Sequence, residues 1–457
     1  MGCTRNRSKT WVNCLPVFAL FVFLLPPSPV WAAVASQFSL LVGEQYNDNI
    51  FFQRKKESDF ITVITPTLSL FYAPTGQFEP TLNLNISPSG QIYARHSELN
   101  GFGDEFESDG SYTYNYSPRL TFTLSDRFRR QGETRTPGIY GFQVPLTPTG
   151  GLPVGAPVSQ VPGDNLDDFI SRGDQLRNHF AFQGRFRYRP DISINGGYRN
   201  VYTKFLDAGG NDWSQTFSLR GVYNWRQEHN LHVGYSVTSH NSRNGDSGLI
   251  HDFDFGDDYF TSQVYKIELT PTLSISASTG LSINTSEDGP RIANNTRVTV
   301  TKLWETASLS GGVRKGLTPS FGISGVSDTM SLFGNFLIQL SERVSGNAGV
   351  AYSLHDTDDV NFKTFQATAL LQYVMTTWLS SNLSYSYRFI NSGAGANRTD
   401  LLERGNVDGS SVFLSLVARF DVWPNTGLAR NLNSTALSPV LRTPFPTAPA
   451  PTVPAKP

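Results

Sequence analysis

Cysteine is nearly missing from this sequence, and its two copies, Cys3 and Cys14, both stand near the start. They fall in a stretch that reads as a removable leader, so the mature chain is expected to have no thiol. That excludes a disulfide framework, a thiolate zinc site and a cysteine nucleophile. An excess of one charge is missing too: 37 Lys and Arg stand against 38 Asp and Glu, a formal net charge of -1. A nucleic-acid partner held by a basic surface is therefore not expected. Beyond the leader there is no apolar run near the roughly 20 residues of a membrane-spanning helix. The seven histidines, His96, His179, His229, His232, His240, His251 and His355, are scattered and show no HExxH spacing. No nucleophile-elbow glycine pattern accompanies the serines, so the expectation is no enzyme, no metal and no cofactor.

The leader is built from Arg5, Arg7 and Lys9, then the mostly apolar stretch Trp11 to Leu25, then Ala32, Ala33 and Ala35. This is the pattern of a secretory signal peptide, with cleavage after Ala32 or Ala35. Residues 1–35 are accordingly assigned to the signal peptide. At the other end, residues 424–457 repeat Pro, Thr and Ala, including Pro439, Pro444, Pro446 and Pro449. Such a composition cannot bury a core and reads as a disordered periplasmic tail.

Between these ends the informative feature is alternation. Phe180, Phe182, Phe186 and Tyr188 interleave with His179, Gln183, Arg185 and Arg187. Phe217, Leu219, Tyr223 and Trp225 interleave with Thr216, Ser218, Arg220 and Asn224. Successive strand side chains point to opposite faces, so each segment has one apolar and one polar face. Strands are placed near 37–46, 59–73, 78–95, 108–117, 119–130, 176–189, 191–204, 212–226, 229–240, 258–269, 272–284, 295–304, 306–315, 328–340, 343–354, 362–374, 376–390 and 410–422.

The connections between them alternate strictly between long (47–58, 96–107, 131–175, 241–257, 316–327, 391–409) and short. Outer-membrane barrels show that parity, with short periplasmic turns and longer outside loops. Aromatics near segment ends, among them Tyr46, Phe60, Tyr72, Tyr112, Trp213, Trp225, Trp304, Trp378, Phe389 and Trp423, suit two interfacial girdles. The expected fold is all-β, a transmembrane antiparallel up-and-down barrel of about 18 strands, 16 to 18 allowing for boundary error. It would occupy residues 36–423, in contact with outer-membrane lipid. Pro66, inside the second strand, should mark a bulge or a rim.

Tyr46-Asn47-Asp48-Asn49-Ile50-Phe51, Ser58-Asp59-Phe60-Ile61 and Thr65-Pro66-Thr67-Leu68-Ser69-Leu70 together resemble the opening of a bacterial outer-membrane β-barrel porin family of the exopolysaccharide- and exosortase-associated type. The resemblance implies a barrel of about this size and a pore or export role. Thr67 stands where the family pattern has glycine, and the tail past Trp423 is an extension. By their own chemistry, Asn47, Asp48 and Asn49 are turn formers at the mouth of the first hairpin.

If the apolar faces meet lipid, the opposite faces line a lumen. Arg119, Arg185, Arg187, Arg199, Arg220, Arg297 and Arg388 are the candidate pore-lining residues, with Lys266, Arg314 and Arg419 beside them and few acids, Glu268 being one. A cationic lumen would favour polar or anionic solutes, including an anionic polysaccharide passed outward with a periplasmic export partner. The alternatives are a general diffusion porin and a plugged structural or adhesive surface barrel. The 131–175 connection, with Tyr140, Phe142 and Leu152, is either a constriction folded into the lumen or a mobile surface loop. The run His251 to Asp258 reads as an acidic surface loop rather than a calcium site.

Overall fold

A computed structural model of the chain describes residues 34–72, 80–132, 174–206, 210–226, 229–242, 247–260, 273–286, 289–304, 306–319, 326–357, 361–392 and 405–423. Eighteen strands run in chain order: β1 Val34–Asn47, β2 Asp59–Tyr72, β3 Thr81–Tyr93, β4 Gly101–Ser117, β5 Leu120–Gln131, β6 Gln175–Arg187, β7 Ile192–Phe205, β8 Asn211–Arg226, β9 His229–Asn241. They continue as β10 Ser247–Phe260, β11 Leu273–Ser286, β12 Gly289–Leu303, β13 Ala307–Pro319, β14 Val326–Gln339, β15 Val344–Asp356, β16 Asn361–Val374, β17 Leu379–Ser392 and β18 Gly405–Trp423. Each pairs antiparallel with its sequence neighbours, and β1 pairs with β18 from Ser36–Trp423 to Asn47–Ser411. The sheet therefore closes, as a strand wall in hydrocarbon must, because an edge would leave backbone groups without partners.

The register fixes which face is which. Phe38, Leu40, Val42 and Tyr46 of β1 lie opposite Leu68, Pro66, Ile64 and Phe60 of β2 and opposite Phe420, Ala418, Leu416 and Val412 of β18. These point outward, and large apolar residues on this face stay exposed, as with Leu219 at 58 % and Val233 at 68 %. Their intervening neighbours face in; His232, next to Val233, is 4 % exposed. An apolar band running right around a closed wall is a lipid-facing surface, since no soluble monomer exposes a patch of that extent.

At the end carrying the short connections, Tyr116, Tyr188, Trp225, Trp304 and Trp378 form an exposed outward girdle. Cations sit over three of these rings: Arg189 at 5.5 Å from Tyr188, Arg226 at 4.8 Å from Trp225 and Lys302 at 5.2 Å from Trp304. At the opposite end Tyr46 and Phe60 pack with centroids 5.1 Å apart. Two expected girdle positions differ: Tyr72 is buried and Tyr112 lies within β4 rather than at its tip.

Three expectations are corrected. Long and short connections do not alternate strictly, because β11 ends at Ser286 and β12 begins at Gly289 at the long-connection end. Strands here continue beyond the bilayer and use up residues that composition assigned to loops. The acidic run 251–258 is such a case. It lies inside β10, with Phe253 and Phe255 outward and Asp252, Asp254 and Asp258 inward; of the expected strand 258–269, residues 258–260 end β10 and 261–269 lie outside the described residues. Its inward carboxylates turn to separate partners, Asp254 to Arg220 and Asp252 to Ser236 and Ser282.

Pro66, finally, causes no bulge. The β2–β3 register is the same on both sides of it, Ile64–Gly90 and Leu68–Ile86, which sets Pro66 opposite Pro88. Two residues without N–H face each other, so the missing donors coincide at one rung. Thr65 to Ser89 and Thr67 to Ser87, each 2.9 Å between hydroxyls, bridge the gap from the inner face.

Candidate lumen lining and outer mouth

Following the inner face around the wall shows a segregated charge pattern. On β5 the inward set continues from Thr121, Thr123 and Ser125 to Arg127 and Arg129. On β6 it is Arg177, His179, Gln183, Arg185 and Arg187, and Arg199 follows on β7, opposite Ala181. From Arg177 to Arg187 is about 33 Å of strand at roughly 3.3 Å per residue, so the basic track runs the length of the wall.

Acidic strips border it on both sides. Glu105, Glu107 and Asp109 of β4 are inward; Glu107 lies 3.2 Å from Arg129 and 3.6 Å from Arg127. On β10, Asp254 binds Arg220 of β8 at 3.0 Å and lies 3.7 Å from His232, which is 3.8 Å from Asp258. Gly234 and Gly256 leave the space that Asp254 and His232 occupy; a Cβ at either would run into them. Across the barrel, β14 to β18 present hydroxyls instead: Ser331 to Ser353 is 2.8 Å and Ser386 to Ser411 is 2.9 Å.

Of the pore-lining candidates, Arg185, Arg187, Arg199, Arg220, Arg297 and Arg388 are on the inner face. Arg119 is not; it is exposed in the two-residue turn between β4 and β5. Arg314 and Arg419 also face in, opposite Ser331 and Ser39, while Lys266 and Glu268 lie outside the described residues. Among the described residues, Arg185 and Arg187 have no carboxylate within ion-pair distance. Arg185 is exposed and Arg187 half-buried.

The expectation of few inward acids is corrected by the strips on β4 and β10. Arg127, Arg129 and Arg177 were not among the candidates, although strict parity from Thr121 and from His179 points to all three. Tyr140, Phe142 and Leu152 lie outside the described residues. The base of that connection is nonetheless tied: Arg130 reaches Asp104 at 3.2 Å and Asp174 at 3.0 Å.

Residues 48–58 were read simply as a turn-rich loop. They fold back over the end of the wall and pack Ile50 against Ile61, Val63, Tyr93 and Phe413. The Asn47-Asp48-Asn49 run is what holds them. Asn49 N–H donates to Asn47 Oδ1 at 3.0 Å, its Nδ2 donates to the Gln53 and Asp408 carbonyls, and its Oδ1 accepts from Gln53 N–H at 2.9 Å. Asp48 Oδ1 accepts Ser410 N–H at 2.6 Å, while Lys56 Nζ lies 2.7 Å from Asp408 and 3.3 Å from Asp48. The segment thus bridges the closure seam between the first hairpin and the last strand.

His96, between β3 and β4, clamps this segment from its other side. Its Nδ1 lies 2.8 Å from Asp59 Oδ2, its Nε2 3.3 Å from Glu57 Oε2, and Phe51 meets its ring edge-on at 5.6 Å. The Asp59 hydrogen bond, helped by Glu57 and by the nearby Glu98 charge, raises the His96 pKa above its ordinary 6.5. A raised histidine pKa contributes stability that is complete below the unfolded value and is lost as pH rises through the folded one. Trypsin cleavage after Arg54 and Lys55, normalised to a peptide substrate, should therefore be slow below about pH 6.5 and accelerate above it. His96→Gln should remove the pH dependence; unchanged dependence in that variant would assign it elsewhere.

No family model matches the chain, and no curated protein matches it. Among solved structures the barrel is similar to OccK2 (OpdF) of Pseudomonas aeruginosa, solved in complex with glucuronate: 8 % identity, TM-score 0.48, 86 % of this chain and 100 % of that one. OccAB2 of Acinetobacter baumannii gives 9 % identity and a TM-score of 0.47 over 86 % of this chain and 99 % of that one. OccK11 (OpdR) of Pseudomonas aeruginosa gives 10 % and 0.44 over 86 % and 98 %.

Proposed function

We propose that this barrel is a Gram-negative outer-membrane pore that passes polar, preferentially anionic solutes. The observation that carries the reading is the inward basic track of β6 and β7, which ends in Arg185 and Arg187 with no ion pair among the described residues. A transmembrane wall needs a polar inner face only if that face meets water or a polar filling, and fixed cations along a hydrated path lower the barrier for anions. The hydroxyl-bearing wall of β14 to β18 supports solutes rich in hydroxyl groups, such as carboxylated sugars or a strand of anionic polysaccharide. Passage of polysaccharide would call for a periplasmic export partner. In this reading the signal peptide is removed; cleavage after Ala32 keeps Ala35, which pairs with Phe71 in the wall.

Purified full-length protein in a planar bilayer should give discrete openings, with a reversal potential under a salt gradient that reports anion preference. An absence of openings in every condition would sink the pore and favour a plugged surface barrel. Openings without ion preference would favour a general diffusion porin. Block of the current by an acidic oligosaccharide but not by its neutral counterpart would support the sugar-acid reading.

A further inference from the structure

Beneath the folded-back segment, one side chain is misplaced on energetic grounds. Gln45 faces inward on β1, flanked across the ladders by Ile61 of β2 and Phe413 of β18. It is 0 % exposed, and among the described residues neither its Oε1 nor its Nε2 has a hydrogen-bond partner. A desolvated carboxamide with both ends unmet is costly, and native structures carry few of them. The Ile61 and Phe413 side chains beside it are apolar and pack with Ile50 in one cluster. The cover carries a second cost. Phe52 has φ 49°, the left-handed region that a bulky residue avoids. Its ring lies so close to the β18 backbone that a Cβ at Gly409 would stand 3.2 Å from Phe52 Cδ2.

Ile50 of the segment packs on the Ile61 and Phe413 side chains that flank Gln45, which ties both costs to the segment's being down. Raising the segment hydrates Gln45 and lets Phe52 return to negative φ. What opposes opening includes the Asn49 side chain, the Asp48–Ser410 pair, the Lys56 ion pairs, the His96 contacts to Glu57 and Phe51, and burial of Ile50. We propose that residues 48–58 are a strap across the β1–β18 seam that opens and shuts at the mouth. Gln45 is the buried spring that favours opening, and Asn49 is the catch.

An element of this kind belongs to the low-stability end of the molecule and opens without the wall unfolding. The prediction is readable without any ion current, so failure of the pore reading leaves it standing and testable. Backbone hydrogen exchange on the full chain in detergent compares Ile50 and Phe52, whose N–H groups donate to Glu57 and Asn49 carbonyls, with Val42 in the β1 wall. Ile50 and Phe52 should exchange at least about a hundredfold faster than Val42 yet remain protected. Gln45→Leu, which removes the unmet amide and keeps the bulk, should slow them at least about tenfold. Asn49→Ala should speed them by a similar factor. Exchange of Ile50 and Phe52 as slow as that of Val42, or no slowing in Gln45→Leu, overturns the strap. Should Asn49→Ala fail to fold, the wild-type and Gln45→Leu measurements still decide.

Discussion

Replacing Arg185 and Arg187 together by serine should lower anion passage at low salt about tenfold, and replacing both by glutamate should invert the anion-over-cation preference. The size follows from Coulomb's law. At about 6 Å in water, each guanidinium stabilises a passing monovalent anion by roughly 0.7 kcal/mol, and two of them by about 1.4 kcal/mol, a factor of ten. Near physiological ionic strength, screening over about 8 Å reduces this to a few-fold effect, so the measurement belongs at low salt with a high-salt control. These two positions are chosen because no carboxylate among the described residues neutralises them. Arg220 supplies the internal comparison. It faces the same lumen, held 3.0 Å from Asp254, and Arg220→Ser removes one cation where the double variant removes two, so it should move the reversal potential about half as far. Equal shifts for Arg220 and the Arg185/Arg187 pair, or none for the pair, would remove the basic track as the source of selectivity.

Leu219→Arg is expected to destabilise the folded barrel in lipid by about 2–4 kcal/mol, while Ser218→Arg, one residue away, costs little. Leu219 is on the outward face of β8, between Trp213 toward one end of the strand and Trp225 toward the other. A guanidinium there must enter hydrocarbon or drag its strand to reach the interface. Ser218 faces in, opposite Gly197 and Ser236, where long polar side chains already reach the lumen. Reversible urea unfolding in phospholipid vesicles gives both values. Equal costs for the two substitutions would mean that the assigned inside and outside are wrong.

How far the chain can be read without coordinates depends on which physical rule governs each part. β6 and β8 are legible because a wall between lipid and a polar interior imposes period-two alternation that no other part of the chain opposes. β10 is hard to read from sequence because Asp252, Asp254 and Asp258, a lumen-facing set, have the composition of a solvated loop. Phe253 and Phe255 carried the correcting parity. Glu105 and Glu107 of β4 were lost the same way, since that strand runs past the thickness of the bilayer. With the β4 acids assigned to a loop, the partners of Arg127 and Arg129 could not be seen, and the lumen looked more uniformly basic than it is.

The chain's own residues were enough to establish an antiparallel barrel, its strand number and the inward aspect of Arg185 and Arg187, because all three follow from local alternation and from counting. They could not show that Asn49 holds Asp408, that Glu107 serves both Arg127 and Arg129, or that Ile50 packs on Ile61 and Phe413. Those pairings join strands through closure and register. A one-residue slip would turn the Glu107 contacts to the other face, and the Asn49–Asp408 contact exists only once the two ends of the sheet have met.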